Sequence, residues 1–323
     1  MVFDGHSDIF TDVLRRRLAG ETQVLAQNHL PRLRGGGIEG GCFVLWVDPP
    51  YTNDYTARTE DWLREIALEM NACQDAVLVR NLSDIERAKA EGKFYILMGI
   101  EGLSVMGEDL DVLDRLYDFG ARHAMLTWNE ENLLATGVRG ASSRGLTLMG
   151  KRTVQHMEEK GMVVDVSHLN EPSFWDVMDL AHGPIVASHS NARVLADVAR
   201  NLSDEQLHVL AQTDGLVGIN AFHEFVNDDI EKRTIDGLVE QAVYIADKIG
   251  TRHLALGFDF LEFLATDIDG APREDTDALL VGLENCTKVP LFLEKLRQAG
   301  FTQAEVEDIA VNNWQRILAD ILK

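Results

Sequence analysis

Short apolar runs alternate along the chain with longer segments of helical periodicity. The apolar runs are five to eight residues long, and most of them lack the strict apolar–polar alternation of a half-exposed strand. Continuous apolar character is typical of parallel strands that are covered on both faces. The eight predicted strands are 2–8, 41–47, 94–101, 121–127, 162–168, 185–189, 215–220 and 253–259.

The segments between the predicted strands place apolar residues at helical spacing and begin with N-capping residues. Capping boxes are predicted at Ser83 with Glu86, Ser203 with Gln206 and Thr302 with Glu305. The predicted helices are 59–79, 83–91, 110–119, 147–160, 171–181, 203–213 and 235–249, with further helices from residue 289 onward.

Eight strands alternating with helices over 323 residues predict an α/β fold, a (β/α)8 TIM barrel with extra C-terminal helices. A doubly wound open sheet is the structural alternative, but it expects a glycine-rich turn after the first strand, where this chain has DGHSD. No repeat or linker interrupts the pattern, so we expect a single domain over 1–323. The polar stretches 49–59 and 261–286 follow strands and are expected to border the pocket.

The composition narrows the class of partner. A net charge of -23 argues against binding to nucleic acid or to an anionic membrane surface, because both require cationic patches. The three cysteines show no CxxC spacing, which fits a reducing compartment. We find no signal-peptide pattern and no apolar run of about 18 residues, so we expect a cytoplasmic protein.

Six polar residues that could carry chemistry fall at the C-terminal ends of five predicted strands. That end is the face on which barrel enzymes build their active sites. Three imidazoles and three carboxylates form a nitrogen-and-oxygen ligand set that suits zinc, and also manganese, iron or cobalt. These candidates are His6, Asp8, Glu101, His168, His189 and Asp259.

Each of these residues alone is more often a hydrogen-bonded structural residue than a metal ligand, so the prediction of a metal site rests on their convergence at one end of the barrel. SHSNAR (188–193) lacks the GxSxG pattern of a serine nucleophile. Phe222 and His223 follow the seventh predicted strand, and both a pocket-lining role and a structural role stay open for them.

Several longer motifs resemble one family. They are DGHSD (4–8), LRGGGIEGGCF (33–43), GIEGL (99–103), LTWN (126–129), GLTLMGKRTVQHMEEKGMVVDVSH (145–168), ASHSNAR (187–193) and RNLSDEQL (200–207). Together they are similar to the membrane (renal-type) dipeptidases, peptidase family M19, of the metal-dependent amidohydrolase superfamily. The matching stretches run through nearly the whole chain.

The resemblance implies a hydrolase with two Zn²⁺ ions and a small dipeptide substrate, possibly an L,D-dipeptide, and a homodimer, since family members are often dimers. It implies that His6 and Asp8 bind one metal, that His168 and His189 bind the other, and that Glu101 bridges both. Asp259 matches the aspartate that shuttles a proton to the leaving amine. Arg200 matches the arginine that holds the substrate carboxylate.

Two positions depart from the family pattern. Trp128 in LTWN, beside Asn129, occupies the place of a substrate-contacting histidine of the mammalian enzymes. The usual DFDG after the eighth strand is DFLE (259–262), so the pocket rim is expected to be rebuilt around Asp259. Two alternatives to a dipeptidase therefore stay open: a related hydrolase of lactams or N-acyl amino acids, and a metal-binding protein without catalysis.

Overall fold

The computed structural model describes residues 1–47, 54–264 and 279–322. Within them, eight parallel strands form a nearly closed barrel in the order β1-β2-β4-β5-β6-β7-β8-β9, and the short β3 pairs with β4 outside this path. The predicted (β/α)8 barrel with C-terminal helices is therefore confirmed. The strands are β1 Val2–Ser7, β2 Ile38–Trp46, β3 Ala76–Leu78, β4 Phe94–Glu101, β5 Ala121–Met125, β6 Val163–Asp165, β7 Val186–Ala187, β8 Leu216–Ile219 and β9 Leu254–Leu256.

Helices connect the strands and extend the chain beyond the barrel. The predicted capping boxes of α8 and α11 are present, because each N-cap hydroxyl and the N3 side chain bond to each other's backbone. The helices are α1 Ile9–Leu18, α2 Leu30–Gly35, α3 Tyr55–Ala72, α4 Leu82–Ala90, α5 Leu110–Phe119, α6 Leu148–Lys160, α7 Glu171–Leu180, α8 Asp204–Gln212, α9 Ile235–Ile249, α10 Val289–Gln298, α11 Gln303–Glu307 and α12 Asn313–Ile321.

Two predicted elements are wrong in detail. The helix predicted over 59–79 ends at Ala72, and the apolar residues of β3 pair with β4 instead of continuing it. The capping box predicted at Ser83 with Glu86 is wrong: the helix begins one residue earlier, at Leu82, because the Asn81 side chain accepts the backbone N–H of Asp84 and acts as the N-cap. Parts of the predicted rim stretches 49–59 and 261–286 lie outside the described residues.

The first and last strands of the barrel meet through side-chain and backbone hydrogen bonds. Asp259 donates its backbone N–H to the carbonyl of His6 at 3.3 Å. The buried Asp4 carboxylate accepts the backbone N–H of Phe258 at 2.9 Å, so it replaces a ladder bond that the short β9 does not supply. Asp4 therefore joins β1 to the segment after β9 and positions both candidate residues His6 and Asp259.

The C-terminal helix α12 covers the end of the barrel opposite the candidate site. Trp314 is fully buried and packs on Phe3 with ring centroids 5.4 Å apart. Its indole N–H donates to the carbonyl of Leu256 at 3.0 Å, which satisfies the one polar group of this side chain. The barrel is thus filled by apolar side chains near its N-terminal end, and its C-terminal end remains for polar chemistry.

Replacement of Gly5 by alanine should destabilise the protein because a Cβ there lies 2.4 Å from the Trp314 ring and 2.7 Å from the carbonyl oxygen of Leu256. We expect Gly5→Ala to lower the free energy of unfolding by about 1–3 kcal/mol, the usual penalty for overpacking a core. Gly35→Ala is the matched control, since nothing lies within 4 Å of its added Cβ. Equal midpoints of chemical unfolding for the two variants would contradict this packing.

Candidate active site

The six candidate residues converge at the C-terminal end of the barrel, as predicted. His6 lies in β1, Asp8 follows it, and Glu101 is the last residue of β4. The other three lie two to three residues beyond short strands instead of inside them. His168 and Asp259 have φ values of 70° and 58°, in the left-handed region that non-glycine residues rarely adopt.

Glu101 is the central side chain of the cluster. Its Oε2 atom lies 3.5 Å from His6 Nε2, and its Oε1 atom lies 2.9 Å from His168 Nε2. The Nε2 atom of His189 is 3.9 Å from the same Oε1 atom. This carboxylate therefore has imidazole nitrogens on both sides, His6 on one side and the pair His168 and His189 on the other.

The tautomer of His168 shows that electron pairs face one another in this cluster. His168 Nδ1 donates to the amide oxygen of Asn129 at 2.9 Å, which leaves the lone pair on Nε2. That Nε2 atom lies 2.9 Å from His189 Nε2 and 2.9 Å from a Glu101 oxygen. The lone pair of His168 Nε2 and the lone pairs of this Glu101 oxygen repel each other at such a distance unless a cation lies between them.

A second group of ligand atoms lies around His6. In the described part of the chain, the buried atoms His6 Nδ1 and Asp8 Oδ1 have no hydrogen-bond partner. His6, Asp8 and Asp259 each offer a ligand atom within 4.8 Å of the others, as do His6, Glu101 and His189. Burial of unpaired polar and charged groups is unfavourable, and coordination of a cation satisfies them. The donor set therefore fits one or more divalent metal ions.

The buried carboxylates affect the protonation of the whole cluster. Burial and the charge of Glu101 raise the pKa of Asp8 well above its ordinary value. Burial alone would lower the pKa of His6, but Glu101, Asp259 and Asp8 outweigh it and raise this pKa to about 10, so a cation that binds His6 must displace its proton. Burial and the Arg200 charge lower the pKa of His168 to about 4, so this imidazole is neutral near pH 7, as a metal ligand must be.

Further polar side chains hold the candidate ligands in place, a role that the sequence alone did not assign to them. Ser188 Oγ lies 2.8 Å from His189 Nδ1, so the Nε2 atom of His189 faces Glu101. The Asn220 amide donates to Asp259 Oδ2 at 3.1 Å. Ser188 directly precedes a predicted ligand, but Asn220 approaches Asp259 only through the pairing of β8 with β9.

Below the candidate ligands lies a buried histidine–carboxylate pair. His123 Nε2 is 2.7 Å from Asp165 Oδ2, and both side chains are fully buried. The other oxygen of Asp165 accepts the backbone N–H groups of Ser167 and Ser188 at 2.8 and 3.1 Å. These two serines directly precede His168 and His189, so Asp165 fixes the backbone at both candidate ligands.

The cluster opens into a cavity of about 260 Å³. Its lining includes the adjacent side chains of Trp46 and Trp128, and a second group in mutual contact, Arg200 with Phe222 and Phe225. Of the predicted substrate-contacting residues, His223 is not part of the lining and instead packs against Phe222 with ring centroids 5.2 Å apart. The cavity is lined by Asp8, Thr11, Arg15, Trp46, Glu101, Trp128, Asn129, Val138, Arg139, His168, Arg200, Phe222, Glu224, Phe225, Asp259, Leu261 and Leu264.

Arg200 reaches the cavity from the segment that follows β7. Its guanidinium donates to the carbonyl of His189 at 3.1 Å and to Ser190 Oγ at 3.4 Å. Its Nε atom is buried, and no described residue accepts a hydrogen bond from it. A buried guanidinium with free donor capacity is suited to an anionic group of a ligand.

A (β/α)8 barrel with a buried nitrogen-and-oxygen cluster at its C-terminal end is an arrangement suited to a metal-dependent hydrolase. The family model "Membrane dipeptidase (Peptidase family M19)" matches residues 1–323. The chain belongs to this family of peptide-bond hydrolases, and the resemblance stated from its motifs is confirmed.

Individual relatives agree with this assignment. The chain is 30% identical over 339 residues to an uncharacterized dipeptidase of Schizosaccharomyces pombe, covering 98% of this chain and 80% of that protein. The crystal structure of the M19 metallopeptidase dipeptidase AC is similar, with a TM-score of 0.85, 25% identity, and coverage of 99% of this chain and 98% of that one. A Rhodobacter sphaeroides metallopeptidase liganded with a phosphinate mimic of the dipeptide L-Ala-D-Ala has the same fold, with a TM-score of 0.84, 24% identity and 99% coverage of both chains.

Helices long and apolar enough to cross a membrane do not occur among the described residues.

Removal of the His123 side chain should destabilise the protein because it leaves the buried Asp165 carboxylate without its charged partner. We expect His123→Leu to lower the free energy of unfolding by about 3–5 kcal/mol, as for other broken buried pairs. His156→Leu is the matched control, because the His156–Asp114 contact has a similar length of 2.6 Å but lies near the surface. The control should lose no more than about 1 kcal/mol in chemical unfolding.

The same pair predicts a pH dependence. Burial alone would lower the pKa of His123, but Cys42 and Asp165 raise it to about 10; burial alone would raise the pKa of Asp165, but His123 lowers it to about 2. The contribution of His123 is full below its ordinary pKa of 6.5 and is lost as the pH rises toward 10. The contribution of Asp165 is full above 3.8 and is lost as the pH falls toward 2. The destabilisation by His123→Leu should therefore be smaller at about pH 9.5 than at about pH 6; a constant difference would contradict the ion pair.

Proposed function

We propose that the protein is a cytoplasmic dipeptidase that holds two Zn²⁺ ions and hydrolyses small dipeptides, including those with a D-residue at the C-terminal side. The observation that carries the proposal is the position of Glu101, whose two oxygens face His6 on one side and His168 with His189 on the other. A carboxylate in this position can bridge two cations. A homodimer, expected from the family resemblance, stays a prediction.

On this proposal, His6 and Asp8 would hold one metal ion, His168 and His189 would hold the other, and Glu101 would be shared between them. A pair of such ions supplies Lewis acidity, which lowers the pKa of a water molecule and polarises a carbonyl group. The nitrogen-and-oxygen ligand set supports zinc, and manganese, iron or cobalt fit the same donors.

Asp259 is the proposed proton carrier. Its Oδ1 atom lies 3.8 Å from His6 Nε2, at the edge of the ligand cluster, and its side chain borders the cavity. The pKa of Asp259 is raised overall, because burial and the charge of Glu101 outweigh the opposing effects of His6 and Asn220. The carboxylate can therefore take a proton from the attacking water and give it to the leaving amine. Asn220 holds the other oxygen, Oδ2, and so aims Oδ1 toward the cluster.

Arg200 is the proposed anchor of the substrate's terminal carboxylate. It borders the cavity together with Asp259, and its buried Nε atom has donor capacity to spare. Binding of the carboxylate at this position orients the peptide bond toward the cluster through a contact that lies away from the reacting atoms.

Trp128 favours a second candidate function, the hydrolysis of a lactam or an N-acyl amino acid. An indole lacks the acceptor and proton-transfer capacity of the histidine that it replaces, so the polar requirements on the substrate are altered here. This candidate uses the same ligands and the same Asp259, and only the substrate differs.

Metal removal and substrate panels test the proposed activity directly. Protein treated with a chelator should lose hydrolysis of L,L- and L,D-dipeptides, and two equivalents of zinc per chain should restore it, because the cluster has two groups of ligand atoms. Elemental analysis measures the stoichiometry, and amine release measures the turnover. Activity on N-acyl amino acids or lactams alone would select the second candidate, and zinc binding without any hydrolysis would leave a metal-binding protein.

Substitution of Asp259 should separate proton transfer from metal binding. We expect Asp259→Asn to lower kcat by about 100-fold or more, in the range seen when a general base is lost, while two zinc ions remain bound. Asp247→Asn, at an exposed position of α9, is the control and should retain full turnover. Full activity of the Asp259 variant, or parallel loss of zinc and activity, would refute the assigned role.

A further inference from the structure

Two tryptophans form one wall of the cavity. Trp46 is the last residue of β2 and pairs with Glu101 of β4, while Trp128 follows β5, the next strand of the barrel after β4. Their ring centroids are 4.9 Å apart. The wall therefore flanks the central carboxylate on both sides, directly beside the place where a peptide bond must lie for hydrolysis.

The wall is held in a fixed geometry. Trp46 is only 8% exposed, and the Arg139 guanidinium lies over the Trp128 ring at 5.6 Å, a distance typical of a cation–π contact. The Trp128 ring is 6.1 Å from the ring of His168. A wall held between a charged group and a candidate ligand presents its free aromatic surface at a defined distance from the reacting centre.

Arg200 approaches the cavity from across the barrel, opposite Trp46. It follows β7 and packs against Phe225, which follows β8, with the guanidinium 5.4 Å from the ring. The strand order places β7 and β8 across the barrel from β2. A dipeptide has one peptide unit, with about 3.8 Å between its Cα atoms, so a dipeptide whose carboxylate lies at Arg200 places its N-terminal residue on the side of the cavity away from Arg200.

We propose that the tryptophan wall selects dipeptides with an aromatic N-terminal residue. The inference rests on the proposed function, in which Arg200 binds the terminal carboxylate. With that end fixed, the N-terminal residue extends away from Arg200, toward Trp46 and Trp128. Aromatic rings pack favourably against indoles in offset or edge-to-face geometry and bury more area than an aliphatic methyl group, whereas an alanine side chain leaves the wall uncovered.

The substrate preference of the zinc-loaded protein tests this inference. The panel is L-Phe-D-Ala, L-Tyr-D-Ala, L-Ala-D-Ala and L-Glu-D-Ala, with the L,L series alongside and L-Ala-D-Phe as the reversed peptide. We expect kcat/KM for an N-terminal aromatic residue to exceed that for alanine by about tenfold or more, in the range that apolar pockets achieve. The reversed peptide should lack this advantage.

Variants of the wall show whether the tryptophans cause the preference. In Trp46→Leu and Trp128→Leu, the ratio of kcat/KM for L-Phe-D-Ala to that for L-Ala-D-Ala should fall toward one, whereas Trp128→Phe should retain most of it. Trp175→Leu is the matched control, because Trp175 lies in α7, packs against Phe174 and does not line the cavity. Zinc content and circular dichroism establish that each variant is folded and loaded.

The outcomes distinguish this inference from the proposed function. Hydrolysis of alanine dipeptides without an aromatic preference overturns the inference and leaves the dipeptidase intact. A preference for glutamate also overturns it and points to Arg139 instead of the indoles. A ratio that persists in both leucine variants assigns the preference to another part of the cavity, and absence of turnover on every dipeptide overturns both proposals.

Discussion

The structure is organised around one electrostatic constraint, the burial of several carboxylates at one end of a barrel. Glu101 is 4% exposed, and Asp8 is 6% exposed. Buried carboxylates repel each other, and only cations or protons can relieve that repulsion. The lone pairs that face one another between Glu101 and His168 have the same requirement. The surrounding polar contacts hold these carboxylates and imidazoles in position, although the negative charge of the cluster is not neutralised by the protein's own side chains.

The two ends of the barrel carry different tasks. At the N-terminal end, Trp314 and Phe3 fill the interior with well-packed apolar surface. At the C-terminal end, His168 and Asp259 hold left-handed backbone conformations that are unfavourable for their residue types. Such conformations persist because neighbouring hydrogen bonds overdetermine them, among them the bond from Asp259 N–H to the carbonyl of His6. The favourable packing at the N-terminal end of the barrel thus offsets the unfavourable backbone conformations at the C-terminal end.

The fold and the candidate ligands could be predicted from the sequence because both depend on local signals. Apolar runs predicted the strands of the barrel, and polar residues at the ends of these runs predicted the cluster of candidate ligands. Nonlocal contacts could not be predicted in the same way. Asn220 approaches Asp259, and His123 approaches Asp165, only after the strands have paired. Ala76–Leu78 was predicted as helix, since three apolar residues carry no period that separates helix from strand.

The proposed metal positions differ in charge, which follows from the ligand types and from the contacts behind them. The first position has the carboxylate of Asp8 in addition to Glu101 and His6. The second position has only the neutral imidazoles of His168 and His189 beside Glu101. Behind those two imidazoles lie an amide oxygen of Asn129 and the hydroxyl of Ser188, not carboxylates. A neutral partner makes an imidazole a weaker base than a carboxylate partner does. The proposed metal position beside His168 and His189 is therefore surrounded by less negative charge than the position beside His6 and Asp8. A cation held beside His168 would therefore be the stronger Lewis acid of the two toward a substrate carbonyl, with Trp128 adjacent to it.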